Sequence, residues 1–184
     1  MFTESATEAF KFLTGEFHFE IIATSAASVT YEKRDFVICV HYDACRSFEI
    51  GVTLGWKSSD EPRFDLGEAL RSCGAPETFA SAFQCSNPEN LQPLLLKLAD
   101  NMKKHCSSIL RLEDEALSKL LNQRDLECSD FNTARELRYA MEDAETAWKN
   151  QDFAQVVDVL SPLESLLTDT DRKRLSIARK RIQE

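Results

Sequence analysis

The chain has 184 residues, 43% of them hydrophobic, and it carries a formal net charge of −9. A chain of this size and composition can bury a core and fold without a cofactor. Because an acidic surface repels the nucleic-acid backbone and attracts basic proteins, the charge argues against nucleic acid as a partner and favours a basic protein.

The spacing of the cysteines and the composition of the first residues indicate the cellular compartment. Six cysteines are spread along the chain without a C-x-x-C pair, so their spacing indicates neither a zinc site nor a redox pair. Glu4 and Glu8 occupy the region where a signal peptide needs cations and an apolar run. We therefore predict a cytoplasmic protein with reduced thiols, no cofactor and no membrane contact. Cys39 and Cys106 fit strand and helix patterns, which indicates core residues rather than nucleophiles.

The distribution of glycine and proline divides the chain into two parts. Every glycine lies at or before Gly74, and neither glycine nor proline occurs between Pro93 and Pro162. The predicted fold class is α+β, with an N-terminal helix and a four-stranded antiparallel meander followed by an all-helical C-terminal half. We predict an α+β sheet domain over 1–88 and a helical bundle extension over 89–184 that packs with it as one unit.

The first part begins with a predicted helix that ends at Gly15, where the apolar period changes from helical spacing to alternation. Four short strands follow between residues 17 and 56. The clearest is the fourth, where every second residue from Phe48 to Trp56 is apolar. Short connections between these strands predict an antiparallel meander. Residues 64–72 and 76–85 are predicted to form short helices.

One face of the predicted sheet is apolar and the other is polar. The polar face is expected to carry His18, Glu20, Thr30, Glu32, Cys39, His41, Asp43, Glu49 and Thr53. Within this set we predict a partner-binding face made of Glu20, Glu32, His41, Asp43 and Glu49. Histidines beside carboxylates can also hold a divalent metal or act as acid and base, which leaves a site around His18 and His41 as an alternative. Because the chain has no H-E-x-x-H or G-x-S-x-G motif, we predict no catalytic or metal-binding residue.

Long helices are predicted for the second part. Apolar residues spaced four and three apart from Leu91 to Ile109 indicate a helix with one apolar seam, capped by Asn87 and ending near Leu112. The next helix begins at about Asp114 and runs toward Gln151, either unbroken or bent near residues 128–130.

A helical hairpin is predicted around the turn at residues 150–152. Small and aromatic residues face each other across this turn, with Ala147 and Trp148 before it and Phe153 and Val156 after it. The spacing resembles one tetratricopeptide unit. Since a stable array needs three or more such units, the pattern predicts a capping hairpin rather than a peptide-binding solenoid.

Several of these segments together resemble a family of small uncharacterised bacterial proteins. They are residues 29–32, 37–43 and 47–49, together with Ala147-Trp148, Asp152-Phe153, Val156-Val157 and Pro162-Leu163-Glu164. The resemblance implies an antiparallel sheet followed by a C-terminal helical bundle. Some proteins of this general build are immunity proteins that neutralise toxins, so the resemblance also implies an immunity or adaptor role.

Three functions are compatible with the sequence. The leading hypothesis is a cytoplasmic, non-enzymatic protein–protein interaction module, an immunity or adaptor protein that binds a basic partner. The first alternative is a secretion-chaperone-like homodimeric scaffold, which is typically small and acidic. The second alternative is a metal-dependent hydrolase that uses the sheet face around His18 and His41.

Overall fold

The structure is a computed structural model, and it describes residues 2–58, 62–76 and 79–183. The fold is α+β, as the sequence predicts. In chain order the elements are α1 (Phe2–Ala9), α2 (Lys11–Gly15), β1 (Glu20–Thr24), β2 (Ser28–Lys33), β3 (Phe36–Tyr42), β4 (Glu49–Trp56), β5 (Arg63–Asp65), α3 (Leu66–Ser72), β6 (Ala82–Gln84), α4 (Leu91–His105), α5 (Ser107–Leu110), α6 (Asp114–Lys149), α7 (Phe153–Leu160) and α8 (Asp169–Arg181). Short 3₁₀ segments at Pro88–Asn90 and Ser161–Leu166 precede α4 and α8. Over the described ranges, no helix combines the length and the apolar character needed to cross a membrane.

The predicted antiparallel meander is confirmed. Strands β1 to β4 pair in sequence order, and β5 and β6 both pair with β4. The register places Thr30 opposite Cys39, and Cys39 opposite Thr53. These three residues therefore occupy one row on the polar face, as alternation along each strand requires.

Helices α1, α3 and α4 cover the apolar face of the sheet. From the sheet, Tyr31, Ile38 and Leu54 are 0% exposed, and from α4, Leu95 and Leu98 are equally buried. Each such side chain contributes about 1.5–3 kcal/mol on leaving water, which makes this layer the main source of stability. The seam of α4 packs as predicted, although the helix ends at His105, earlier than expected.

Three local predictions need correction. The N-terminal helix is interrupted at Phe10, which lies between α1 and α2. The first strand begins at Glu20 rather than at residue 17, because His18 adopts a left-handed conformation with φ of 60°. The predicted helix over 76–85 is wrong at its end, where Ala82–Gln84 pairs with β4 as a strand; residues 77 and 78 lie outside the described residues.

A cap and an ion pair join the first half of α6 to the sheet layer. The Asp65 carboxylate accepts a hydrogen bond from the Glu68 amide at 2.8 Å, and Glu68 Oε2 accepts one from the Asp65 amide at 2.8 Å. Arg124 donates to both carboxylate oxygens of Glu68, at 2.7 and 2.6 Å. Its guanidinium also lies 4.1 Å from the centre of the Phe64 ring, so Arg124 is held by both charge and stacking.

The chain divides into two compact units at Arg124 and Asp125, inside α6. The physical reason is the packing of α4 on α1, α3 and β4, together with the Arg124 contacts. Helix α4 therefore completes the core of the first unit. Residues 114–149 are assigned to one helix without an interruption.

The second unit has its own small core. The predicted hairpin is present, with the ring centres of Trp148 and Phe153 5.4 Å apart in an edge-to-face arrangement. Asp152 caps α7 by accepting from the Gln155 amide at 3.0 Å. The buried residues are Ala144, Ala147, Val156, Leu160, Leu167, Leu175 and Ala178. Phe131 of α6 is 67% exposed and lies outside this core.

Candidate functional site

Two of the predicted partner-binding residues meet directly on the polar face. Glu20 of β1 lies opposite Glu32 of β2. The ammonium group of Lys57 binds both carboxylate oxygens of Glu32, at 3.1 and 3.0 Å. Like charges opposite each other on a sheet are destabilising, and Lys57 relieves this repulsion from one side. The pair therefore creates a local negative charge that a further cation would stabilise.

His41 and Glu49 meet at a different place, over Gly51. His41 lies opposite Gly51 in the β3–β4 ladder. A methyl group placed on Gly51 would be 2.9 Å from Nε2 of His41 and 3.7 Å from Oε1 of Glu49. The imidazole therefore occupies the space that the missing side chain leaves free, and a larger residue at position 51 would displace it.

Asp43 organises the turn that follows β3. Its Oδ1 accepts hydrogen bonds from the amides of Cys45 and Arg46, each at 3.1 Å. Its Oδ2 accepts from the Ser47 amide at 3.1 Å and from the Ser47 hydroxyl at 3.0 Å. The hydrogen bonds from Ser47 and Cys45 hold the pKa of Asp43 below its ordinary value of 3.8.

Asp43→Asn should lower the melting temperature at neutral pH, because an amide cannot accept all of these bonds in the same geometry. A carboxyl with a depressed pKa stabilises the fold above its unfolded pKa, and this contribution is lost as the pH falls through the folded pKa. The difference between Asp43→Asn and the wild type should therefore shrink below about pH 4. Thermal melts between pH 2 and 7 test this, with Glu49→Gln as the control; an unchanged difference at low pH would contradict it.

The two histidines of the alternative metal site lie far apart. Glu20, next to His18, belongs to the same row as Glu32 and Val37. His41 follows Val37 by four residues, which corresponds to roughly 13 Å along the strand. Across the described residues, no group of three His, Cys, Asp or Glu side chains could hold a metal ion.

β1 is an edge strand and is unusually apolar for that position. The strand order places it at the end of the sheet, and all five of its residues are exposed. A register shift between Ile21 and Ala23 leaves Ile22 without an opposite residue on β2. Ile21 and Ile22 are 40% and 48% exposed. Lysine, proline or a bulge usually protects an edge strand; β1 has neither lysine nor proline, and its register shift at Ile22 is the one such feature in the strand.

A cleft of about 280 Å³ adjoins this edge. It is lined by His18, Glu20, Ile22, Glu32, Lys33 and Arg34. The Lys33 ammonium is directed inward, where it donates to the Leu110 carbonyl at 3.2 Å and lies 5.5 Å from the centre of the Phe19 ring. The cleft therefore presents two carboxylates, the exposed Arg34 guanidinium and an exposed isoleucine beside an open strand edge.

The structure also brings together two cysteines that sequence spacing does not connect. Cys73, at the end of α3, packs against the buried cluster that contains Cys106, which lies between α4 and α5. His105 and Ser108, on either side of Cys106 in the chain, line the same cleft as Cys73. Interaction with the Cys106 thiol lowers the pKa of Cys73. The helical pattern around Cys106 predicts a core residue, and no local pattern marks Cys73. The buried position of Cys106 agrees with that interpretation, but its neighbour could not be identified because the two residues are far apart in the chain.

Comparison of the chain with protein-family models, with curated proteins and with solved structures gave no match. The resemblance to a family of small bacterial proteins therefore stays a prediction. The function has to be inferred from the site itself.

Proposed function

We propose that the protein is a non-enzymatic interaction protein, of the immunity or adaptor kind, that binds an extended segment of a basic partner along β1. The observation that carries this proposal is the edge strand with its two exposed isoleucines. At a free edge, alternate backbone N–H and C=O groups point away from the sheet and can pair with an added strand. Partner side chains that alternate along that strand would contact Ile22 and the adjoining cleft.

Charge supports a basic partner over a neutral one. The chain has a net charge of −9, and Glu20 and Glu32 repel each other at the docking position. A lysine or arginine from the partner would lie next to Glu20 and offset that repulsion. Such contacts between exposed charges speed association and weaken with salt.

Ile22→Lys and Glu20→Lys should each weaken binding of the partner at least about tenfold, which corresponds to roughly 1.4 kcal/mol. Ile22→Lys places a cation on the open edge of β1, and Glu20→Lys reverses the charge that the partner contacts there. Candidate partners are first captured from a lysate of the source cell, and the purified partner is then titrated at low and high salt. Leu126→Lys and Glu142→Lys make the same chemical changes on exposed positions of α6 and serve as matched controls.

The outcomes separate the alternatives. Binding that both edge variants retain, or that the α6 controls abolish equally, would contradict the proposal. If light scattering instead shows that the wild type is a dimer and the Ile22→Lys variant a monomer, a second copy of the chain occupies the edge of β1. That result would favour the homodimeric scaffold over a basic partner.

A further inference from the structure

We propose that Cys73 and Cys106 form a redox site at which a hydroperoxide oxidises the two thiols to an intramolecular disulfide. The site lies within the first unit, where α3 ends next to the junction of α4 and α5. It is separate from β1 and from the polar face of the sheet. It therefore goes beyond the proposed binding function and does not depend on it.

The two thiols are unequal in exposure, and this gives them different roles. Cys73 is partly exposed, whereas Cys106 is 0% exposed. Cys73 lies at the end of a helix beside a cleft of about 250 Å³ that opens to solvent. A small oxidant can therefore reach Cys73 first, with Cys106 placed behind it as the resolving thiol.

The surroundings of Cys73 favour its thiolate. Hydrogen bonding from the Cys106 thiol is the largest favourable effect, and the Ser72 and Ser108 side chains add to it. The Lys119 ammonium contributes a further favourable charge. These interactions outweigh the opposing effect of burial and lower the pKa of Cys73 to about 7. The hydrogen bond to Cys73 and burial raise the pKa of Cys106, which keeps that thiol protonated as the donor. A thiolate at neutral pH is the form that attacks a peroxide.

Other ionisable groups also line the cleft. The residues around it are Ser72, Cys73, His105, Ser108, Glu113, Glu115, Ala116 and Lys119. Glu115 accepts a 2.7 Å ion pair from Lys119, so its negative charge is partly neutralised beside Cys73. Nε2 of His105 is buried and has no hydrogen-bond partner among the described residues. The cleft thus contains polar groups in addition to the thiol pair.

The oxidation of the two thiols by the hydroperoxide proceeds in two steps. The Cys73 thiolate attacks the outer oxygen of the hydroperoxide, the O–O bond breaks, and the alkoxide or hydroxide leaves and takes a proton, which gives Cys73 sulfenic acid. The sulfur of Cys106 then attacks the sulfur of Cys73, the S–O bond breaks, and the departing hydroxide takes the proton of the Cys106 thiol to form water. One peroxide is reduced, and two thiols are oxidised to one disulfide. A dithiol reductant of the cell would reduce the disulfide again by thiol–disulfide exchange.

The first test is oxidation of the full-length, reduced protein with one equivalent of hydrogen peroxide at pH 7. Free thiols are then alkylated, and peptides are mapped by mass spectrometry without reduction. We expect a peptide pair joined through Cys73 and Cys106 as the main product, while Cys45 and Cys128, which are also exposed, remain mainly alkylated. Oxidation spread equally over all exposed thiols, or a disulfide between any other pair, would overturn the proposal.

Two variants separate the roles of the thiols. In Cys106→Ser, Cys73 should accumulate as sulfenic acid that dimedone traps, because no resolving thiol remains. In Cys73→Ser, Cys106 should stay reduced. Trapping at Cys106 in the second variant, or none at Cys73 in the first, would contradict the assignment.

A rate measurement needs no variant and remains informative if one fails to fold. Alkylation of Cys73 in the wild type should follow a titration with a midpoint near pH 7. In urea the midpoint should rise by about one to two pH units to the ordinary cysteine value. In the unfolded chain the hydrogen bonds to Cys73 are broken and Lys119 no longer lies near its thiol. An identical midpoint in the folded and unfolded protein would overturn the proposal.

Discussion

Leu98→Ala should destabilise the first unit by about 2–5 kcal/mol, the range for removing a fully buried leucine from a packed core. Leu98 is 0% exposed on the seam of α4, with Leu95 and Met102 equally buried beside it. The lost methyl groups leave a cavity between α4 and the sheet layer, which the surrounding side chains fill only in part.

Leu96 gives a matched control on the same helix. It is 42% exposed, so Leu96→Ala removes the same atoms from a position that is already partly in water. We expect a change within about 1 kcal/mol there, since little buried area is lost. Denaturant unfolding in a Trp148→Phe background makes Trp56 the reporter of the first unit. Equal effects of Leu98→Ala and Leu96→Ala would show that α4 does not belong to this core.

Gly55→Ala should destabilise the sheet by at least about 2 kcal/mol, through steric conflict with the backbone. Gly55 has a φ of 155°, and a Cβ at this position would lie 2.6 Å from the carbonyl oxygen of Pro62 and 3.2 Å from the Cα of Arg63. Both contacts involve backbone atoms, of Pro62 just before β5 and of Arg63 in β5, so relief requires the β4–β5 pairing to shift. The cost is larger than for a collision with a flexible side chain.

Gly15→Ala is the matched control for this change. A Cβ at Gly15 would have no atom within 4 Å, so the substitution mainly restricts the unfolded chain. We expect Gly15→Ala to be neutral or to stabilise the protein by up to about 1 kcal/mol. Thermal and denaturant unfolding of the two variants check the pair. A Gly55→Ala protein as stable as the wild type would show that the β4–β5 pairing can adjust without cost.

The candidate site could be predicted only in part. Alternation along the strands placed Glu20 and Glu32 on one face, because a strand turns its side chains to opposite sides. Their direct opposition depends on the register of β1, which alternation alone does not fix. The turn role of Asp43 has a local signal in the sequence, because an aspartate shortly before a serine can accept hydrogen bonds from the amides of a short turn.

The sequence by itself determined the α+β class, the meander, the apolar seam of α4 and the helical hairpin at Trp148 and Phe153. All of these follow from periodicity and from turn or cap residues close together in the chain. Only the tertiary structure decided the register shift at Ile22, the proximity of Cys73 to Cys106, and the limit of the first unit at Arg124. These features depend on which distant segments pack against each other, and such long-range contacts have no fixed spacing in the sequence.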